Sequence, residues 1–295
     1  MTNHQRPRGL TDPQAGFLLV IPGLAVFLAI IAYPFLNSVF MSFTDRNMMR
    51  QVWGFVGFEN YVKVFKDIYF LDTLKNTAIF VVCATVLPFC LGLAWAVVLN
   101  QGFKGSEILR GVTLVNWIIP GTAIGFLWMW IFNGEYGVLN GILSSFGVKV
   151  NWLGAKGTAM MVVIIARTWQ MLPWYMSFLL GGLQSVSLDV VEAARIDGAN
   201  NWQAFTKVIL PSMASIATVV LVLGIIGNLQ HFDLPWVMVE GGPARATTTF
   251  SIEVYRTAFK NWNLGKAATI GTIWAVLLAC FSFLYLKSID RQDTD

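Results

Sequence analysis

The chain has 295 residues, of which 56% are hydrophobic, 14% aromatic and only 12% charged. Ordinary globular chains carry roughly 25% charged residues, so a soluble body of this size would lack the charges to cover its surface. This composition excludes an ordinary soluble enzyme, a disordered chain and a secreted disulfide scaffold, and a net charge of +4 is too small for a nucleic-acid groove.

Length is better counted in bilayer crossings of roughly 20 residues each. A polar start containing Arg6 and Arg8 precedes an apolar run over 15–43, interrupted by Pro22 and Pro34. The run is too long for a signal peptide and lacks a small-residue cleavage site, so it reads as a retained span. Residues 44–72 mix charges with aromatic side chains and suit an interfacial segment. Five further spans follow at 73–99, 108–132, 158–183, 212–239 and 267–287. Pro88, Pro120, Pro173 and Pro235 fall inside them, tolerable where neighbouring helices satisfy the freed carbonyls. Residues 134–157 are rich in Gly and Asn and too polar to cross. The expected fold is an all-α polytopic membrane protein of six transmembrane helices.

Cys83, Cys90 and Cys280 all lie in apolar runs. Cys83 and Cys90 are about 10 Å apart by helical rise, too far for a disulfide. No Cys/His spacing suits a metal, and no phosphate-binding glycine loop occurs, so the chain cannot use ATP by that route. Lys and Arg are nearly equally dense on the two sides of the six-span reading, so charge does not decide orientation.

The most informative stretch is 184–211, between the fourth and fifth spans, where a short hairpin would suffice. It reads as two helices. Ser187 suits an N-cap with Asp189 in the first turn. Ala193 and Ala194 keep the first helix slim, and Gly198 can end it in a left-handed conformation. Asn200 or Asn201 can cap a second helix with Trp202, Phe205, Val208 and Ile209 on one face, and Pro211 suits the first turn of the next span. A slim helix presenting Glu192 fits a groove on a partner, and it equally fits a helix lying on lipid headgroups.

Glu192-Ala193-Ala194, then Gly198, then Leu210-Pro211, with Asp197 and Ala199 in place, resembles the EAA signature of binding-protein-dependent ABC importer permeases. Val208 stands where the family has Ile. Gly241-Gly242-Pro243, Thr247-Thr248-Thr249, Ala258-Phe259 and Gly265-x-Ala267-Ala268 resemble the carbohydrate branch, in its MalF-type membrane subunit. Tyr33-Pro34 and Gly57-Phe58-x-Asn60-Tyr61 fit as well.

The resemblance implies a cytoplasmic coupling helix between helices 4 and 5, with Glu192, Ala193, Ala194, Asp197, Gly198, Leu210 and Pro211 as ATPase-coupling residues. It divides the chain into 1–72, holding the N-terminal tail, first span and external segment, and an importer core over 73–295. It implies a MalG-type companion permease, two copies of an ATP-binding subunit and an external solute-binding protein. ATP and Mg are expected on the ATPases, with no cofactor on this chain and no catalysis by it. The expected location is the inner membrane of a prokaryote, with both termini cytoplasmic.

Polar groups inside spans are functional candidates. Arg167, Gln170, Met171 and Trp174 share one helical face, and Gly224, Gly227, Asn228 and His231 recur at the same offsets in the next span. The family places solute contacts on these two segments. Amides and imidazole can read hydroxyls, and Trp174 can stack on a sugar ring. Arg167 is either a ligand, which would suit a glycerol phosphate or an acidic sugar, or the partner of Asp233. His231 is either a ligand or a packing residue. An ion-coupled carrier is disfavoured by the absence of a carboxylate relay in the spans, and an intramembrane enzyme by the lack of a second catalytic group beside His231.

Overall fold

The computed structural model describes residues 12–292; Arg6 and Arg8 lie outside them. Apart from two isolated bridges, Thr44 with Phe55 and Asn47 with Asn263, the described residues hold helices and turns.

Helix α1 (Asp12–Phe27) passes through a π-turn at Leu28–Ala32 into α2 (Tyr33–Met41). Tyr33 N–H bonds to Leu28 C=O across the π-turn, immediately before Pro34, which has no N–H to continue the regular ladder. A short α3 (Glu59–Phe65) follows, then the long α4 (Phe70–Leu99), which carries Pro88 inside. Both Cys83 and Cys90 lie on α4, and all three cysteines are free.

The expected span at 108–132 is bent. It consists of α5 (Ser106–Ile118) and α6 (Gly121–Ile131), at 96° to each other. Pro120 causes the break: it forces Ile119 into an extended conformation and removes the N–H a continuous helix would need. Helix α7 (Val138–Ser144) lies in the polar connection, and α8 (Lys156–Gln184) holds the expected fourth span.

The loop after α8 forms two helical pieces, as the sequence predicts. The first is α9 (Leu188–Ile196). The second runs through α10 (Asn201–Ala204), a π-turn at Phe205–Ile209 and α11 (Leu210–Ser212). The register slip of the first helix recurs here, with Leu210 N–H reaching Phe205 C=O just before Pro211.

The expected fifth span at 212–239 is divided. Helix α12 (Ala214–Leu229) ends at a turn, and α13 (Asp233–Val239) starts afresh. Helix α14 (Phe250–Tyr255), a π-turn at Arg256–Lys260 and α15 (Leu264–Gln292) complete the chain.

Among the described residues, three helices are long and apolar enough to cross a membrane: Leu19–Met41, Phe70–Leu99 and Leu264–Phe283. The count is five if each bent pair is one span, the second pair being Asn201–Ser212 with Ala214–Leu229 at 69°. Helix α8 is about 44 Å long by helical rise but is not among them, because Arg167 and Gln170 interrupt its apolar run.

The chain separates into two compact units. In the larger, residues 67–253, α4 and α8 form the main helix pair. One core layer packs Phe80 and Ala84 of α4 against Val162, Val163 and Ala166 of α8, with Ile124 and Leu234. A second packs Ala96 and Leu99 against Tyr175, Met176 and Leu179, with Met213 and Val220. The two helices touch backbone to backbone at Gly92, where a Cβ would lie 2.8 Å from Tyr175 Cβ and 2.9 Å from Met176 N. In lipid such close packing, rather than transfer out of water, drives helix association.

In the smaller unit, residues 1–66 with 254–295, Asn60 is the fastener. Its buried amide donates to Ser42 O (3.0 Å) and Thr44 O (2.7 Å), and Thr269 Oγ1 donates to the same Ser42 O (3.0 Å). This gives Gly57-Phe58-x-Asn60-Tyr61 a structural meaning: the Ser42 and Tyr61 hydroxyls bond at 2.7 Å, and Phe43 packs on Phe58 and Tyr61.

Candidate functional site

The inward face of α8 carries Arg167 and Gln170, both buried. Arg167 Nη1 donates to Gln170 Oε1 at 2.7 Å, one turn along the same helix. Arg167 Nε donates to Asn228 Oδ1 of α12 at 2.8 Å. Asn228 is only 2% exposed, and its amide donates to Ala84 O (2.9 Å) and Thr85 Oγ1 (3.0 Å) of α4. Three helices are thus joined through one guanidinium and one carboxamide. An isolated buried charge costs several kcal/mol, so these charge-assisted bonds are what allow Arg167 to stay inside.

Arg167 forms no ion pair with Asp233 among the described residues. Asp233 lies beside His231 instead, with Oδ1 3.4 Å from Nδ1, and attracts Arg167 only through space. The His231 ring lies parallel to Phe80 at 6.3 Å, and its Nε2 is buried without a hydrogen-bond partner. His231 therefore packs, yet keeps one polar atom unsatisfied.

The other predicted contacts do not join this cluster. Met171 and Trp174 pack on the second core layer, Trp174 with its ring 4.9 Å from both Tyr175 and Phe178. Gly224 is buried because Tyr175 occupies its space: a Cβ there would run into the tyrosine hydroxyl. Gly227 is exposed, and a Cβ there would meet no other side chain or neighbouring element within 4 Å. The Gly121-x-x-x-Gly125 pair is a close packing surface, a Cβ at Gly125 falling 3.1 Å from Val237 Cγ1 of α13. Thr85 and the Ala84 carbonyl were missed by sequence reasoning; a hydroxyl in mid-span was the available signal.

The threonine-rich motif after Gly241-Gly242-Pro243 is a clasp. Thr247 and Thr248 hydroxyls donate back to Gly242 O (2.7 Å) and Gly241 O (3.0 Å). Asn76 of α4 donates to Arg245 O at 2.9 Å, and Thr77 Oγ1 accepts from Phe250 N at 3.0 Å.

Helix α9 has no buried residue, and Leu188, Val190 and Ile196 stand 76%, 50% and 86% exposed. Glu192, Ala193 and Asp197 are exposed, and Ala194 is half-buried. Ser187 occupies the N-cap position with extended backbone, but its side chain makes no cap bond. The other end is fully capped. Gly198 has φ +88°, its N–H bonds to Arg195 O (3.1 Å), and Ala199 N–H bonds to Ala194 O (3.0 Å), a Schellman closure. Asn200 then caps the second helix reciprocally with Gln203, both bonds at 2.9 Å. Leu210 and Pro211 follow the π-turn and reach Met213, which is buried on the second core layer.

Residues 88–291 match the family described as the binding-protein-dependent transport system inner membrane component. The chain belongs to that family. It is 34% identical over 280 residues to the trehalose/maltose transport system permease MalF of Thermococcus litoralis, covering 94% of each chain. It is 29% identical over 286 residues to the sulfoquinovosyl glycerol transport system permease of Agrobacterium fabrum, covering 96% of this chain and 93% of that one. In fold it resembles a chain of a bacterial ABC transporter involved in the import of the acidic polysaccharide alginate, with TM-score 0.82, 21% identity, and 95% and 96% of the two chains covered. As a permease of this family it is a helical inner-membrane component, and the ion-coupled carrier falls away.

Proposed function

We propose that this permease is the MalF-type half of an ATP-driven sugar importer, working by alternating access. The observation that carries the reading is helix α9: slim, with no buried residue and closed at Gly198. A helix that leaves Leu188, Val190 and Ile196 exposed, on a permease that lacks a nucleotide-binding loop, suits docking in a cleft of a separate ATPase. Glu192, Ala193, Ala194, Asp197 and Gly198 then form the coupling surface, and Leu210 and Pro211 lead from it into α12. ATP and Mg reside on two ATPase copies, this chain binds no cofactor and performs no catalysis, and a MalG-type companion and a solute-binding protein complete the assembly.

In this reading the chain crosses six times, α8 supplying the crossing whose polar centre lowers its hydropathy. Both termini and α9 are cytoplasmic. Residues 1–72 hold the first crossing and the external segment, and 73–295 the importer core with its loop at 184–211. The solute contacts are sought along Arg167, Gln170, Met171, Trp174, Gly224, Gly227, Asn228 and His231. Opening the cavity would exchange the internal bonds of Arg167, Gln170 and Asn228 for solute hydroxyls. A solute carrying an acid is the second reading. It is favoured by the buried Arg167, which forms no ion pair among the described residues, and by the sulfoquinovosyl glycerol permease among the relatives.

The test is reconstitution with the ATPase, companion and binding protein. ATP hydrolysis stimulated by the loaded binding protein, with solute uptake, is expected. Uptake by this chain alone, indifferent to ATP, would overturn the reading.

A further inference from the structure

A cavity of about 680 Å³ opens between the N-terminal halves of α4 and α8, away from the Arg167 cluster. Its mouth carries Lys75, Lys156 and Arg245, with Asn76 and one carboxylate, Asp72. Its walls below are aliphatic, including Ile79, Leu87, Met161 and Ile164. The two helices run the same way, since Lys75 and Lys156 share the mouth and Gly92 meets Tyr175 further along. The groove is thus charged at one end and apolar over the next three turns.

Its dimensions match one leaflet. Lys75 to Leu87 is about 18 Å by helical rise, against about 15 Å for half of a hydrocarbon core. Arg245 is partly engaged: Nη2 bonds Glu253 Oε2 at 2.6 Å and the guanidinium lies 4.4 Å over Tyr69, but its Nε is buried without a hydrogen-bond partner. Lys75 and Lys156 are exposed and make no ion pair among the described residues.

We propose that this groove binds an anionic phospholipid, with the phosphate between Lys75 and Lys156 and an acyl chain along Ile79, Leu87 and Met161. A soluble anion would use the lysines and leave the aliphatic walls unexplained; a neutral lipid would do the reverse. Only the pairing of both features at the depth of one leaflet selects a charged lipid. The inference rests on α4 and α8 crossing the bilayer, and not on which solute is carried.

The test uses the intact detergent-purified importer complex, titrated with phosphatidylglycerol, phosphatidylcholine or inorganic phosphate. Retained lipid is read by native mass spectrometry and the unfolding midpoint by thermal scan. Phosphatidylglycerol should be retained and should raise the midpoint, with the other two nearly without effect. Lys75→Gln with Lys156→Gln should weaken phosphatidylglycerol about thirtyfold, the strength expected of two basic residues at an anionic headgroup. Lys75→Arg with Lys156→Arg should restore it. Should the glutamine pair fail to assemble, Met161→Trp, which fills the apolar part, should remove the lipid while the lysines remain. Equal retention of the two lipids, unweakened binding in both the glutamine and tryptophan variants, or full protection by phosphate alone would overturn the proposal. So would cross-linking of Ile79→Cys to the companion permease, because a protein would then occupy the groove. Sugar uptake can fail while lipid retention holds, so the two readings fail separately.

Discussion

Asn228 is the residue on which the polar centre depends. Its carboxamide supplies an acceptor to Arg167 and donors to Ala84 and Thr85. Asn228→Ala would remove the bonds it makes to Arg167 Nε, Ala84 O and Thr85 Oγ1, at a cost of about 1–3 kcal/mol for each buried atom left unsatisfied. The unfolding midpoint of the purified complex should fall clearly, whereas Gln170→Ala, which strands only one end of Arg167, should lower it less. A matching midpoint in both variants would show that the network is not what holds Asn228. Arg167→Gln separates the two solute classes. Uptake of an acidic sugar should collapse while a neutral disaccharide is still carried if the guanidinium meets an acid. Equal loss for both would assign Arg167 to the architecture. The sequence showed Arg167, Gln170 and Asn228 as polar residues on helical stripes of two spans, and the structure joins those three. It could not show that Gly224 is filled by Tyr175, because which side chain fills a vacancy depends on how two distant helices cross.

At the scale of elements, the end of α9 and the start of the helix that follows it are written locally. Gly198 closes α9 at φ +88°. Gly198→Val would cost roughly 1–2 kcal/mol in that backbone region. Because α9 contributes no buried residue, the loss should appear in coupling: binding-protein-stimulated ATP hydrolysis should drop while the spans remain folded by circular dichroism. Wild-type stimulation would remove α9 from the coupling path. Gly92 is different in kind. A Cβ there would lie 2.9 Å from Met176 N of α8, so Gly92→Leu should prise apart the main helix pair and abolish assembly, seen as aggregation on size exclusion. Normal assembly would mean the crossing is looser than the structure has it. Capping at Asn200 and closure at Gly198 were legible in the sequence because such motifs are made within a few residues. The 96° bend at Pro120 was half legible. The proline was noted as a tolerated guest, but whether a proline kinks or breaks a helix depends on what receives the freed groups.

At the scale of the molecule, topology is the claim most open to test. In a background freed of Cys83, Cys90 and Cys280, Asn200→Cys should resist a membrane-impermeant thiol reagent in intact cells. It should react once the membrane is opened or inverted. Labelling from outside would reverse the orientation, and α9 could no longer meet a cytoplasmic ATPase. Charge counting left this undecided because Lys and Arg are spread over long segments on both sides.

The amino-acid order alone determined that this is a helical membrane chain with two short helices, closed at Gly198 and capped at Asn200, after its fourth apolar stretch, because hydropathy and capping act over short distances along the backbone. It also carried the family signature in Glu192, Gly198 and Pro211. Only the tertiary structure decided that Arg167 is held by two amides rather than by Asp233, that 212–239 is divided, and that a charged mouth tops an aliphatic groove between α4 and α8. Those outcomes depend on contacts between residues far apart in the chain, where the fit of one helix against another selects among partners that the linear pattern leaves equally available.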